Sequence, residues 1–134
     1  MALVSRGAPE RVGWITVRQS NHRGRPTSCP LTAALQVVGG RWSMIALYWL
    51  DQGPRRFSEL RRLMPSISPK VLASTLRDLE REGLVGRTVI PDVPPKVEYA
   101  ISEYGRTAQP LIEATREWGK GHLSRRTDRA NHDR

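Results

Sequence analysis

The run Ser68-Pro69-Lys70-Val71-Leu72-Ala73-Ser74-Thr75-Leu76-Arg77-Asp78-Leu79-Glu80-Arg81-Glu82-Gly83 constrains the fold more than any other, because a helix start and a helix stop enclose one apolar face. Ser68 can accept a hydrogen bond from a first-turn N–H, Pro69 suits the first helical position, where its missing N–H would have no partner, and Gly83 supplies a left-handed exit. Ile67 and Leu72 occupy the positions of a hydrophobic staple, and Leu79 and Leu84 those of the apolar contact beside a Schellman end. At about 100° per residue, Leu72, Leu76 and Leu79 share one stripe while Lys70, Ser74, Arg77 and Arg81 fall opposite. Alone, that polar side reads either as a solvated face or as a surface offered to a partner. The flanking segments have to decide.

The chain has 134 residues, enough for one domain of about 100 residues with tails. Its formal charge of +9 points to an anionic partner, but the distribution matters more than the total. Residues 1–28 carry five basic and one acidic side chain, residues 29–121 thirteen and ten, and residues 122–134 four and two. Most of the excess therefore sits on the tails, and a nucleic-acid reading must rest on where the charges point. The single cysteine, Cys29, excludes an intrachain disulfide and a multi-cysteine zinc site. His22, His122 and His132 lack metal-ligand spacing, so no metal site is expected. No secretory signal or run of about 18 apolar residues stands out, so a soluble, cytoplasmic protein away from membranes is expected.

In chain order, residues 1–28 are expected to be a mostly disordered extension in which only Trp14–Val17 could pair as a strand. Leu31, Ala34, Leu35 and Val38 follow helical spacing up to Gly39-Gly40. Trp42, Ile45, Ala46, Trp49 and Leu50 give a second helix with this stripe in the core, ended by Gly53-Pro54. Phe57, Leu60, Leu63 and Met64 mark a short third helix with Ser58 as N-cap, and Met64–Ile67 turns the chain into the Ser68 helix. Short helix, turn and longer amphipathic helix is the order of a helix-turn-helix, placed at about 58–82. Residues 84–101 then read as two strands around Pro91-Asp92-Val93-Pro94-Pro95-Lys96, a hairpin with a stiff tip, which after a helix-turn-helix is a wing. A last helix is expected over about 102–120, carrying Ala108, Leu111, Ile112, Thr115 and Trp118, with Pro110 interrupting its first turns and a frayed charged tail over 122–134. The expected fold is mainly α with a small β-hairpin, a winged helix-turn-helix over residues 29–121.

Several runs occur together in this order: Cys29-Pro30, Gly39-Gly40-Arg41-Trp42, Arg56-Phe57-Ser58-Glu59-Leu60, Leu76-Arg77-Asp78-Leu79-Glu80, Gly83-Leu84-Val85, Val93-Pro94-Pro95-Lys96-Val97-Glu98-Tyr99 and Glu117-Trp118-Gly119. Over residues 29–120 the chain thereby resembles the HxlR-type winged helix-turn-helix transcriptional regulators, the wing being the most distinctive run. The resemblance implies a homodimeric bacterial protein that binds double-stranded DNA, with the first and last helices as dimerisation helices. Leu31, Leu35, Leu111, Ile112, Thr115 and Trp118 would supply that interface. It also puts Cys29 at a position that serves some members as a redox or electrophile sensor.

On this reading the Ser68 helix lies in the major groove, and Ser68, Pro69, Lys70, Ser74, Arg77 and Arg81 form the DNA-facing set. Arg77 is the leading base contact, since its planar fork donates two parallel hydrogen bonds to a guanine edge. Ser68 and the helix N-terminus suit a phosphate. Lys96 and Arg87 on the wing either reach phosphates or the minor groove, or only keep the hairpin from pairing with another chain. Arg55 and Arg56 either clamp a phosphate or are solvated. Cys29 is either a reactive thiol or a small buried residue. No catalytic constellation and no cofactor site stands out, and nothing identifies a small-molecule effector. The competing function is a winged-helix module whose basic face docks an acidic protein.

Overall fold

The structure is a computed structural model that describes residues 27–134. The Trp14–Val17 strand, His22 and nearly all of the expected N-terminal extension lie outside the described residues. The chain divides into two compact units, one ending at Gly40 and the other running from Arg41 to Arg134.

In the first unit, α1 (Pro30–Val38) begins with Pro30 at its first position behind Cys29 as N-cap, and Gly39 closes it with an N–H bonded to the Leu35 carbonyl at 2.8 Å. Leu31 and Leu35 are exposed, four residues apart on one side, and Val38 is buried.

The second unit contains α2 (Ser43–Asp51), β1 (Arg55–Arg56), α3 (Phe57–Leu63), α4 (Pro69–Arg81), β2 (Val85–Ile90), β3 (Lys96–Ile101), α5 (Glu103–Arg106) and α6 (Gln109–His132). The strands form an antiparallel sheet in the order β1-β3-β2. Helix α2 packs against α3, α4, α6 and β3, so it is the centre of the unit. The core holds Ala46, Leu47, Leu50, Leu60, Met64, Ile67, Leu72, Leu76 and Leu79, closed at the sheet end by Leu84, Val85 and Ile101. This is a winged helix-turn-helix.

Three expectations are corrected. In α2 the buried stripe is Ser43, Ala46, Leu47 and Leu50, whereas Trp42 and Trp49 are half-buried and Ile45 is exposed. The helix is apolar almost all round, so spacing alone could not choose the face that its neighbours cover. The N-cap of α3 is Arg56, not Ser58; the Arg56 N–H donates to Glu59 Oε1 at 2.7 Å, as the third-position carboxylate of a capping box does. Arg55–Arg56 forms a two-residue strand, too short to show any alternation in sequence. The last helix neither starts at 102 nor stops at 120. It breaks after α5, restarts with Pro110 at the head of α6, and runs through Gly119 and Gly121 to His132. Glycine costs a helix about 1 kcal/mol and does not forbid it, and the flanking residues are helix formers.

Candidate nucleic-acid interface

Both ends of α4 follow from its own sequence. Ser68 Oγ accepts from the Val71 N–H at 3.1 Å, and the Ser68 carbonyl accepts from the Leu72 N–H at 2.9 Å. Ile67 and Leu72, the staple pair, are both buried. At the other end the Leu84 N–H reaches the Leu79 carbonyl at 2.9 Å and the Gly83 N–H reaches the Glu80 carbonyl at 3.0 Å, with Gly83 at φ 81°. These are the two bonds of a Schellman motif, and Leu79 and Leu84 bury its apolar contact. With Leu72, Leu76 and Leu79 at 1% exposure or less, the rotation of the helix is set, and the opposite side has to face outward.

That outward side carries Lys70, Ser74, Arg77 and Arg81, all exposed. Arg77 makes no ion pair among the described residues, so its guanidinium is open. Arg81 differs: its Nη1 lies 3.0 Å from Asp78 Oδ1, so part of its charge is already matched. At the N-terminus the cap consumes the Val71 N–H and Pro69 has none, which leaves the Ser68 and Lys70 N–H groups and the Ser68 hydroxyl hydrogen as donors there.

The exit of α4 is tied to the base of the wing through Ser102. Its hydroxyl donates to the Gly83 carbonyl at 2.5 Å and accepts from the Gly105 N–H at 2.9 Å, while the Ser102 N–H bonds the Leu84 carbonyl at 2.9 Å. One side chain thus joins the end of the outward helix, the last wing strand and α5.

The sheet separates the remaining basic residues into two pairs. Arg55 and Arg87 both stand opposite Tyr99, and Arg56 stands opposite Glu98, two residues from Lys96. Because alternate residues of a strand point to opposite faces, Arg55 joins Arg87 on one face and Arg56 joins Lys96 on the other. Arg55 and Arg56 therefore do not converge as a clamp, and Arg55 Nε is directed at the Trp49 carbonyl at 3.5 Å. At the wing tip Lys96 Nζ pairs with Asp92 Oδ2 at 3.1 Å. The Val93 N–H first, and Lys96 second, hold the Asp92 carboxyl below its usual pKa.

Reading the residues without the structure missed Arg61 and Arg62. With Phe57 and Ser58 they line an open hollow of about 430 Å³ on α3, and both are exposed. The available signal was their place on the first helix of the motif, which crosses the nucleic-acid backbone when the second enters the groove.

Cys29 is exposed rather than buried, which removes the packing alternative. The Thr32 hydroxyl, and then the Thr32 and Leu31 N–H groups of the first turn of α1, draw its thiol below the ordinary pKa. Of the expected interface residues on α6, Leu111, Thr115 and Trp118 are exposed, Trp118 stacking on His122 at 5.2 Å. Ile112 is 6% exposed and belongs to the chain's own core.

A model of the HxlR-like helix-turn-helix family matches residues 37–127. The chain belongs to that family of transcriptional regulators. It is 44% identical over 97 residues to the HTH-type transcriptional regulator YdeP of Bacillus subtilis (strain 168), covering 72% of this chain and 76% of YdeP. Among solved structures it is similar to the redox regulator HypR in its oxidised form, at 45% identity and TM-score 0.68, covering 69% of this chain and 96% of HypR. The HTH-type regulator ytcD is similar too, at 44% identity and TM-score 0.68, with 72% and 98% covered. The likeness therefore takes in almost the whole of each solved relative, and α3, α4 and the wing all fall inside the family match. No helix among the described residues is long and apolar enough to cross a membrane.

Proposed function

We propose that this chain is a sequence-specific repressor that acts in the cytoplasm, on the nucleoid, as a homodimer on an inverted-repeat operator. The observation that carries the reading is the outward face of α4: a helix capped at both ends holds Arg77, which has no ion pair among the described residues, beside Lys70 and Ser74, next to a wing. Lys70, Ser74 and Arg77 meet the base edges; Ser68, the Lys70 N–H, Arg61 and Arg62 meet phosphates. Pro69 starts the helix and touches nothing that carries sequence information. Arg81 contributes charge in proportion to how far it leaves Asp78. Lys96, with Arg56 behind it, is the wing's phosphate contact; Arg87 faces the other way with Arg55.

The exposed apolar side chains support a dimer. Leu111 and Trp118 on α6 are 42% and 72% exposed, and Leu31 and Leu35 on α1 are 69% and 54% exposed. A second copy covers such residues, and two-fold symmetry makes the operator a repeat of two inverted half-sites. The exposed, pKa-lowered Cys29 and the likeness to HypR, a redox regulator, support a thiol that alters DNA affinity when oxidised.

Gel-shift and footprinting with DNA upstream of its own and neighbouring genes test the reading. Two protected half-sites are expected. A folded dimer that shifts no DNA at low salt would instead favour a module that docks an acidic protein. Treatment with a mild thiol oxidant should change the affinity of the wild type and not of Cys29→Ser; equal responses remove Cys29 from the scheme.

A further inference from the structure

Val71 is an apolar residue at the edge of the outward face of α4. It stands in the first turn of α4 with 41% of its surface exposed, while Leu72, Leu76 and Leu79, which bury the helix, are at 1% or less. On the helix it lies about 60° from Ser74, at the edge of the outward side and in line with Asp78. Lys70, Ser74, Arg77, Asp78 and Arg81 make that side otherwise polar. Its backbone is already used, the N–H bonding Ser68 Oγ at 3.1 Å, so the side chain is what remains free to act. A β-branched residue is a weaker helix former than alanine, lysine or glutamate, and here its burial is only partial.

The major-groove edges of the bases carry one apolar feature, the C5-methyl group of thymine. Building on the DNA-binding reading above, we infer that Val71 is a specificity-determining residue that packs against a thymine methyl in each operator half-site. The cationic residues Lys70 and Arg77 of the adjoining polar stripe match a polyanionic partner, and the first turns of such a helix are the part nearest the bases. Val71 then selects thymine where Arg77 selects guanine, so the helix reads two kinds of base edge with two kinds of chemistry.

The test replaces each thymine of one half-site in turn by deoxyuridine, which lacks only the methyl group, and measures binding of the wild type, Val71→Ala and Val71→Thr. At one position uracil should weaken the wild type about fourfold, the effect of one buried methyl group. Val71→Ala should bind the thymine operator less tightly and be indifferent to uracil at that position. Val71→Thr, which keeps one γ-methyl, should retain part of the discrimination. Alanine at an exposed helical site does not threaten folding, and far-ultraviolet circular dichroism verifies this. Specific binding that no thymine-to-uracil change weakens, or that weakens equally in wild type and Val71→Ala, overturns this inference and leaves DNA binding standing. A wild type that binds no DNA overturns both.

Discussion

Replacing Gly105 by alanine should damage the junction between α4 and the wing far more than replacing Gly83, although Gly83 alone has a backbone that disfavours side chains. An alanine Cβ at position 105 would fall inside contact distance of the Leu84 carbonyl oxygen and 2.7 Å from Ile101 Cγ1. The Leu84 oxygen cannot simply retreat, because it accepts from the Ser102 N–H at 2.9 Å, and Ser102 in turn holds the Gly83 carbonyl and the Gly105 N–H. Overpacking costs about 1–3 kcal/mol and a lost backbone bond about 1 kcal/mol more. Alanine's better helix propensity offsets up to about 1 kcal/mol, leaving a net loss of about 1–3 kcal/mol. At Gly83 the φ of 81° costs a side chain about 1–2 kcal/mol, but nothing lies within 4 Å and the stiffer unfolded chain returns about half of this. The net there is about 0.5–1 kcal/mol. Urea unfolding followed by tryptophan fluorescence, at one fixed protein concentration so that association does not confound the comparison, gives both values. A Gly105→Ala protein within about 0.5 kcal/mol of wild type, or a Gly83→Ala protein that is the less stable of the two, would refute the reasoning from close packing.

Ser68→Ala removes the acceptor of the Val71 N–H and should cost about 1 kcal/mol in the same unfolding experiment, with Ser68→Asp restoring most of it. Arg77→Ala should cost about 1–3 kcal/mol of operator binding and relax preference at one base pair in a binding selection; an equal loss on every sequence would make it a phosphate contact. Lys96→Ala should weaken all DNA alike and lower the salt slope by less than about one unit per protomer, because Asp92 already shares its charge. For Cys29 a lowered pKa means that thiolate persists to lower pH than in an ordinary cysteine. The alkylation rate should therefore reach half its maximum at lower pH, and Thr32→Ala should move that midpoint back up.

The sequence by itself determined the parts whose causes lie within a few residues of one another. Ser68, Pro69 and Gly83 bound α4, Ile67–Leu72 and Leu79–Leu84 seal its ends, and the proline-rich tip between two strands makes the wing. Local hydrogen bonds and side-chain period suffice for these, so they were legible without coordinates. What required distant partners was decided only by the tertiary structure. Leu47, not Trp42 or Trp49, is in the centre of the core because α2 could have buried any of several faces. Arg55 and Arg56 part company because β3 pairs with them from more than 40 residues away in the chain. Ile112 belongs to the core and Trp118 to the surface because α6 leans on α2 with one side only. The polar stripe of α4 was visible from its spacing, but that Arg77 has no ion pair among the described residues, that Asp78 holds Arg81 and that Val71 stays partly exposed at the edge of that stripe are facts of side-chain placement. Periodicity assigns a residue to a face; only packing determines what that face leaves open.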